Sequence, residues 1–380
     1  MKKRIRDFGV QIGTLPPGER NAITDVPGVR VGHATLADGA VQTGVTAILP
    51  HPGNLFREKV PAAVHVLNGF GKTVGTVQLE ELGTLETPIL LTNTLSVGTV
   101  SEALVRCMLE QTPEIGVTTG TVNPLVGECN DGWLNDIRGL HVREEHVRAA
   151  LSSASVDVEE GAVGAGRGMS CYGLKGGIGT ASRRMEIGGQ TYTLGALVLS
   201  NFGRLDDLQV AGRLVGREIR EQWEREAASE IPSVAPAEQT TAESVSVAPA
   251  EQSRAGSTSA SSLEPRERGS IIMILATDLP LRDRQLKRVA VRAGVGLART
   301  GSFIGHGSGD LVLAFSTATR IPHESPEPIL TLPMLQDHYL DTAFRAAAES
   351  VEEAVLNSMT AADPVTGRDG NSRASLRDFL

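Results

Sequence analysis

Aromatic residues make up only 3% of this 380-residue chain. That scarcity argues against a base-stacking surface for nucleic acid. The formal net charge of −9 points the same way, because nucleic-acid binders carry basic patches. Cysteine is also scarce. Cys107, Cys129 and Cys171 are odd in number and lack paired spacing, which excludes a disulfide framework and a cysteine zinc site. They fit a reducing compartment. The basic start, Met1 to Asp7, is followed by no apolar stretch of the signal-peptide kind. No apolar run approaches the length of a membrane-spanning helix. The expectation is a soluble cytoplasmic protein with no nucleic-acid and no membrane partner.

Metal spacing is missing as well. His141 and His146 lie five apart with Glu144 and Glu145 between them, whereas two ligands on one helix face need a spacing of three or four. His33, His51 and His65 fall in strands or turns without a ligand pattern. No metal site is expected from this spacing. Gly69-Phe70-Gly71-Lys72-Thr73 resembles the end of a phosphate loop, but the position that needs the first glycine holds Val66. Gly164-Ala165-Gly166-Arg167-Gly168 lacks the third glycine of a dinucleotide fingerprint, since Met169 stands there. No nucleophile-elbow sequence appears, so a Ser-His-Asp hydrolase has no support. A serine enzyme built on this chain must find its base elsewhere.

What is present is an ordinary globular composition, 40% hydrophobic with 42 glycines. Short strands are expected at 44–49, 62–67, 87–93, 194–200, 271–276 and 311–315. Helical spacing marks 96–110, 143–152, 216–229, 282–299 and a long helix within 334–359. The tail after Ala362 is polar and reads as loose. Strands and helices mix without strict alternation, so layered sheets with outer helices fit better than a doubly wound sheet. Between about 231 and 268 runs a Pro/Ala/Ser/Glu tract in which Ser233 to Gln239 recurs letter for letter at Ser246 to Gln252. Such a tract buries too little apolar surface to offset its ordering entropy, and is expected to be a flexible loop.

Immediately after that tract, at Gly269-Ser270, the composition flips to a β-branched run. Gly269 has no side chain to hinder attack on its carbonyl and tolerates unusual backbone angles. The Ser270 hydroxyl is the neighbour placed to attack it. Cleavage there would make Ser270 an N-terminus whose own α-amine can act as base for its hydroxyl. Three other segments carry polar side chains at strand ends or glycine turns: Gly127-Glu128-Cys129-Asn130-Asp131-Gly132, Ser200-Asn201-Phe202-Gly203 and Gly307-Ser308-Gly309-Asp310. Each alone also suits a turn, and Asn130-Asp131-Gly132 most of all.

Together with Asn21 to Val29 and Lys175 to Ser182, these segments resemble the DmpA/BapA-type peptidases, the L-aminopeptidase/D-amidase-esterases and β-peptidyl aminopeptidases. The likeness runs through nearly the whole chain. It implies an αββα sandwich with an N-terminal-nucleophile-like site, and a single catalytic domain cut into 1–269 and 270–380. It also implies a tetramer of such pairs and no cofactor. By position it makes Ser270 the nucleophile and places Asn201 and Asn130 among oxyanion or substrate-orienting groups. Glu128 falls where a carboxylate receives the substrate's free amine. Ser308 and Asp310 fall where a hydroxyl and a carboxylate surround the nucleophile. This chain departs from the pattern with Asp310 in place of Glu, with Cys129 where Thr is common, and with a long loop before Ser270. Tyr172 lies in a family-like stretch without an assigned role. The expected function is an aminopeptidase or amidase acting on small peptides, amides or esters with a free amine. Acyl transfer to an amine, hydrolysis of amide oligomers and non-catalytic binding are the alternatives. A serine rather than a threonine nucleophile argues against the acyl-transfer relatives.

Overall fold

The computed structural model describes residues 2–230 and 268–380. The low-complexity tract lies outside them except for Arg268. The main strands are β1 (Arg30–Asp38), β2 (Val41–Leu49), β3 (Glu58–Gly69), β4 (Ile89–Asn93), β5 (Leu125–Cys129), β6 (Gly177–Ile187), β7 (Gln190–Asn201), β8 (Arg268–Thr277) and β9 (Gly307–Ser316). They form two sheets. One has the order β1-β2-β4-β5, and the other β3-β9-β8-β7-β6, with short strands Thr84–Leu85 and Ile321–Pro322 added on β3. The main helices are α1 (Val97–Gln111), α2 (Glu144–Ser152), α3 (Val215–Glu230), α4 (Asp283–Arg299) and α5 (Leu340–Thr360).

Period-2 alternation decides how these layers stack. In β8, Ile272, Ile274 and Ala276 enter a core shared with Ile48, Leu91 and Leu125 of the first sheet. The alternate residues Ile271, Met273 and Leu275 enter a second core with Leu286, Val289 and Ala293 of α4 and Ala347 and Val351 of α5. On the far side of the first sheet, Val45, Ala47 and Leu90 pack with Val100 and Leu104 of α1 and Val147 of α2. Three apolar interlayers separate four layers, giving helices, sheet, sheet, helices. This is the αββα sandwich the sequence leads one to expect. β8 is buried on both faces, which is why its sequence is a continuous apolar run rather than an alternating one.

Every expected element appears, the first four helices within a residue of their sequence bounds, whereas all the expected strands but Ile89–Asn93 start three or four residues before their apolar runs. The long helix expected within 334–359 spans Leu340–Thr360, and 329–336 before it carry no regular secondary structure. The tail is the clear correction. Val365–Thr366 pairs with Ser372–Arg373 in a short hairpin, Leu376 is buried, and Lys175 donates its backbone N–H to the Ala374 carbonyl at 2.8 Å. A polar composition suggests looseness, but long-range backbone bonds order this segment.

Candidate active site

β8 begins where the two sheets meet a large cavity of about 1380 Å³, and Ser270 lines it. Ser270 lies opposite Asn201 of antiparallel β7 and opposite Gly309 of parallel β9. Its Oγ accepts the Gly309 N–H at 3.1 Å. Gly309 is packed against Gly71, and a Cβ there would stand 2.6 Å from the Gly71 backbone. Gly269 has φ +133°, and a Cβ on it would come within 2.0 Å of the Asn201 carbonyl oxygen. The glycine is therefore demanded by close strand pairing as well as by backbone angle. The chain is continuous through Gly269-Ser270, so the Ser270 nitrogen here is a peptide nitrogen. Among the described residues no histidine hydrogen-bonds Ser270.

Asn201 is held at both ends of its amide. Its Oδ1 accepts the Ser170 N–H at 2.9 Å, and its Nδ2 donates to the Asn130 carbonyl at 3.0 Å. One Nδ2 hydrogen remains for the cavity that the residue lines. Asn130 serves this arrangement through its backbone. Its side-chain oxygen accepts the Gly132 N–H at 2.9 Å, closing an Asx turn of the kind its sequence context suggests.

Glu128 is the last residue but one of β5 and lines the same cavity while only 2% exposed. Its Oε1 accepts the Lys72 backbone N–H at 2.7 Å, and its Oε2 bonds the Thr94 hydroxyl. Both donors are neutral, and among the described residues no basic side chain lies within ion-pair reach of it. A buried carboxylate so placed is a ready partner for a cation from the cavity.

Ser308 and Asp310 flank the Gly269-Ser270 bond across the β8–β9 pairing, opposite Gly269 and Ile271 respectively. The Ser308 Oγ lies 2.6 Å from Asp310 Oδ2 and 2.7 Å from the Gly305 carbonyl. Asp310 Oδ1 accepts the Ile271 N–H at 3.2 Å. Although a methylene shorter than Glu, Asp310 reaches the backbone next to Ser270.

Sequence reasoning missed the groups that hold these side chains. Lys72 and Thr94 fix Glu128, Ser170 fixes Asn201, and Asn68 Nδ2 donates to the carbonyls of Gly305 and His306 in the turn before Ser308. Gly71, in the stretch that resembles a phosphate loop, instead allows this segment to press against Gly309. Lys175 is completely buried, and its Nζ donates to the carbonyls of Gly166, Met169 and Gly176 at 2.7–3.0 Å. Burial pulls its pKa well down. Three acceptors nonetheless match the three N–H groups of an ammonium, and they brace the turn that carries Ser170. Tyr172 has φ +52° and is fully buried, with its ring edge-on to Phe202 at 5.0 Å and its hydroxyl 2.9 Å from Thr300 Oγ1. It shapes the chain leaving Asn201. Cys129 is buried, and desolvation first and then the nearby Glu128 charge push its thiol well up, so it is an inert apolar filler.

Among the described residues no group of three metal-ligating side chains occurs, and no helix is long and apolar enough to cross a membrane. A four-layer αββα sandwich with a serine heading an inner strand defines a class, the hydrolases of N-terminal-nucleophile type. The chain belongs to peptidase family S58, whose family model matches residues 21–373. It is 40% identical to the β-peptidyl aminopeptidase BapA of Sphingosinicella microcystinivorans over 97% of this chain and 88% of that one. A solved structure from Pyrococcus horikoshii OT3 superposes with a TM-score of 0.84 at 50% identity, covering 98% of this chain and 96% of the other. The L-aminopeptidase D-Ala-esterase/amidase of Ochrobactrum anthropi, described as a variant of the Ntn hydrolase fold, gives 0.82 at 38% identity over 99% and 96%. The protein is a hydrolase of the aminopeptidase and amidase kind. Acyl transfer, amide-oligomer hydrolysis and a non-catalytic role are not favoured.

Proposed function

We propose that the chain cuts itself between Gly269 and Ser270 and then releases N-terminal residues from small peptides, amides or esters that carry a free amine. In the first reaction the Ser270 Oγ attacks the Gly269 carbonyl, the peptide C–N bond breaks, and the Ser270 nitrogen takes a proton to become an α-amine. Water then hydrolyses the resulting ester and frees residues 1–269 from 270–380. In turnover that amine accepts the hydroxyl proton as Oγ attacks the substrate carbonyl, the leaving amine takes the proton, and water then hydrolyses the acyl ester on Ser270 to release the residue and restore the hydroxyl. The spare Nδ2 hydrogen of Asn201 stabilises the oxyanion. Ser308 and Asp310 orient the new amine. Glu128 receives the substrate ammonium, and Asn130 supports Asn201 through its carbonyl. The two halves stay paired and assemble as a homo-oligomer, a tetramer of pairs, in the cytoplasm.

The observation that carries this reading is the convergence of one hydroxyl, one half-committed amide and one uncompensated buried carboxylate on a single cavity. An aminopeptidase must tell a first residue from an internal one, and the ammonium is the feature that differs. The test is kinetics on matched free-amine and N-acetylated amides. Free-amine substrates should be turned over and acetylated ones should be poor; equal turnover of both would remove Glu128 from this role.

A further inference from the structure

The same cavity is electrically lopsided. Among the described residues Glu128 is the one carboxylate lining it, whereas Lys72, Arg204, His306 and Arg373 bring basic side chains to it. The basic groups are not equivalent. Arg204 has Asp207 at 3.9 Å, and Lys72 donates to the Phe70 carbonyl while lying 4.1 Å from the Phe70 ring centroid. Arg373 is half-buried and has no carboxylate within ion-pair reach among the described residues. Its guanidinium lies 4.6 Å from the Trp133 ring centroid, and among the described residues only its Nη1 is bonded, to the Ser372 carbonyl at 3.0 Å, while its buried Nε meets no acceptor. Burial lowers its pKa with no opposing charge to restore it.

A planar cation kept partly out of water with open donors carries a standing cost that a bound carboxylate would relieve. The site is also built. Asn371 Nδ2 donates to the Trp133 carbonyl at 2.9 Å, and the Arg368 N–H to the Leu134 carbonyl at 2.7 Å, so the hairpin bearing Arg373 is tied to the segment bearing Trp133. The indole face fixes the plane of the guanidinium, which suits two-point recognition of a carboxylate.

We propose that Arg373, held against Trp133, binds a free carboxylate on the leaving portion of the substrate, so that the preferred class is short zwitterionic peptides. Glu128 reads the amine at one end and Arg373 the carboxylate at the other. The inference rests on the functional reading above for which bond is cut, but not for whether Arg373 binds a carboxylate.

The experiment compares one dipeptide with its C-terminal amide on the native enzyme. The acid should exceed the amide about 10- to 100-fold in kcat/KM, mostly through KM, the scale of one charge-assisted contact. Arg373→Met should bring the acid down to the amide while leaving the amide unchanged, and Arg373→Lys should fall between. Equal kcat/KM for acid and amide in the native enzyme would overturn the proposal, as would equal losses on both in Arg373→Met. Should neither substrate be cleaved, the functional reading fails instead. Calorimetry with the uncut Ser270→Ala chain, the continuous form in which Arg373 already stacks on Trp133, then decides. Tighter binding of the acid supports the proposal, and equal binding overturns it.

Discussion

Two arginines of this molecule make opposite use of burial. Arg183 of β6 is completely buried, and each of its three nitrogens has an acceptor. Its Nε bonds Glu349 at 3.1 Å, its Nη2 bonds Glu353 at 2.7 Å, and its Nη1 donates to the Ser182 carbonyl at 2.8 Å. Glu353 also takes Arg6 and Asn21, so the network fastens the N-terminal segment to α5. Arg373 sits beside the cavity with most of its donors open. The first pattern is what a fold does with a charge it must bury. The second is what a binding site keeps for a partner that comes and goes. Glu353 and Glu128 repeat the contrast among the carboxylates, one enclosed by cations and the other met only by neutral donors.

The contrast breaks most visibly at Arg183. Arg183→Met should leave buried Glu349 without its cation and Glu353 with Arg6 alone, and cost about 3–5 kcal/mol in denaturant unfolding, while kcat per folded molecule stays near native. Asn201→Ala is the converse: a folded, processed enzyme with kcat lowered about 10²- to 10³-fold, the scale of one oxyanion donor. Glu128→Gln keeps shape and loses charge, and should cost about 2–3 kcal/mol in kcat/KM for free-amine substrates, expressed first in KM. If it lowers the melting temperature instead and leaves the free-amine preference intact, Glu128 belongs with the structural set. A pH-dependent test concerns Asp131, just beyond Asn130. Burial, outweighing hydrogen bonds from Thr43 and Asn135, pushes its carboxyl up to about 7. The folded state then holds a proton that the unfolded chain releases from about pH 4 upward. Asp131 should therefore subtract stability as pH rises from about 4 to 7, and Asp131→Asn should flatten that part of the melting curve. Glu353 has the opposite sign. Burial raises its carboxyl, but Arg6 and Arg183 together hold it below its ordinary value. Its support is present at neutral pH and fades as pH falls through that lowered value.

The inner strands were legible because burial on both faces writes itself as a run such as Ile271 to Ala276. Gly269-Ser270 was legible because composition changes abruptly there. The roles expected of Asn201, Glu128, Ser308 and Asp310 came from resemblance, since a lone polar residue at a strand end reads equally well as a turn. The supports were not legible. Lys72 meets Glu128 through a backbone N–H, which leaves no mark on side-chain identity. Lys175 finds its three carbonyls only after the Gly166–Gly176 turn has folded around it. Arg373 lies in a tail whose polar letters say nothing of the bonds from Asn371 and Arg368 that anchor it.

The account turns on Ser270 acting on its own chain. Intact mass and N-terminal sequencing of purified protein test that most directly. The native protein should separate into residues 1–269 and 270–380, the second beginning Ser270-Ile271-Ile272-Met273, and Ser270→Ala should remain one inactive chain. A Ser270→Ala chain that still parts at Gly269, or a native chain that is active while uncut, would contradict it.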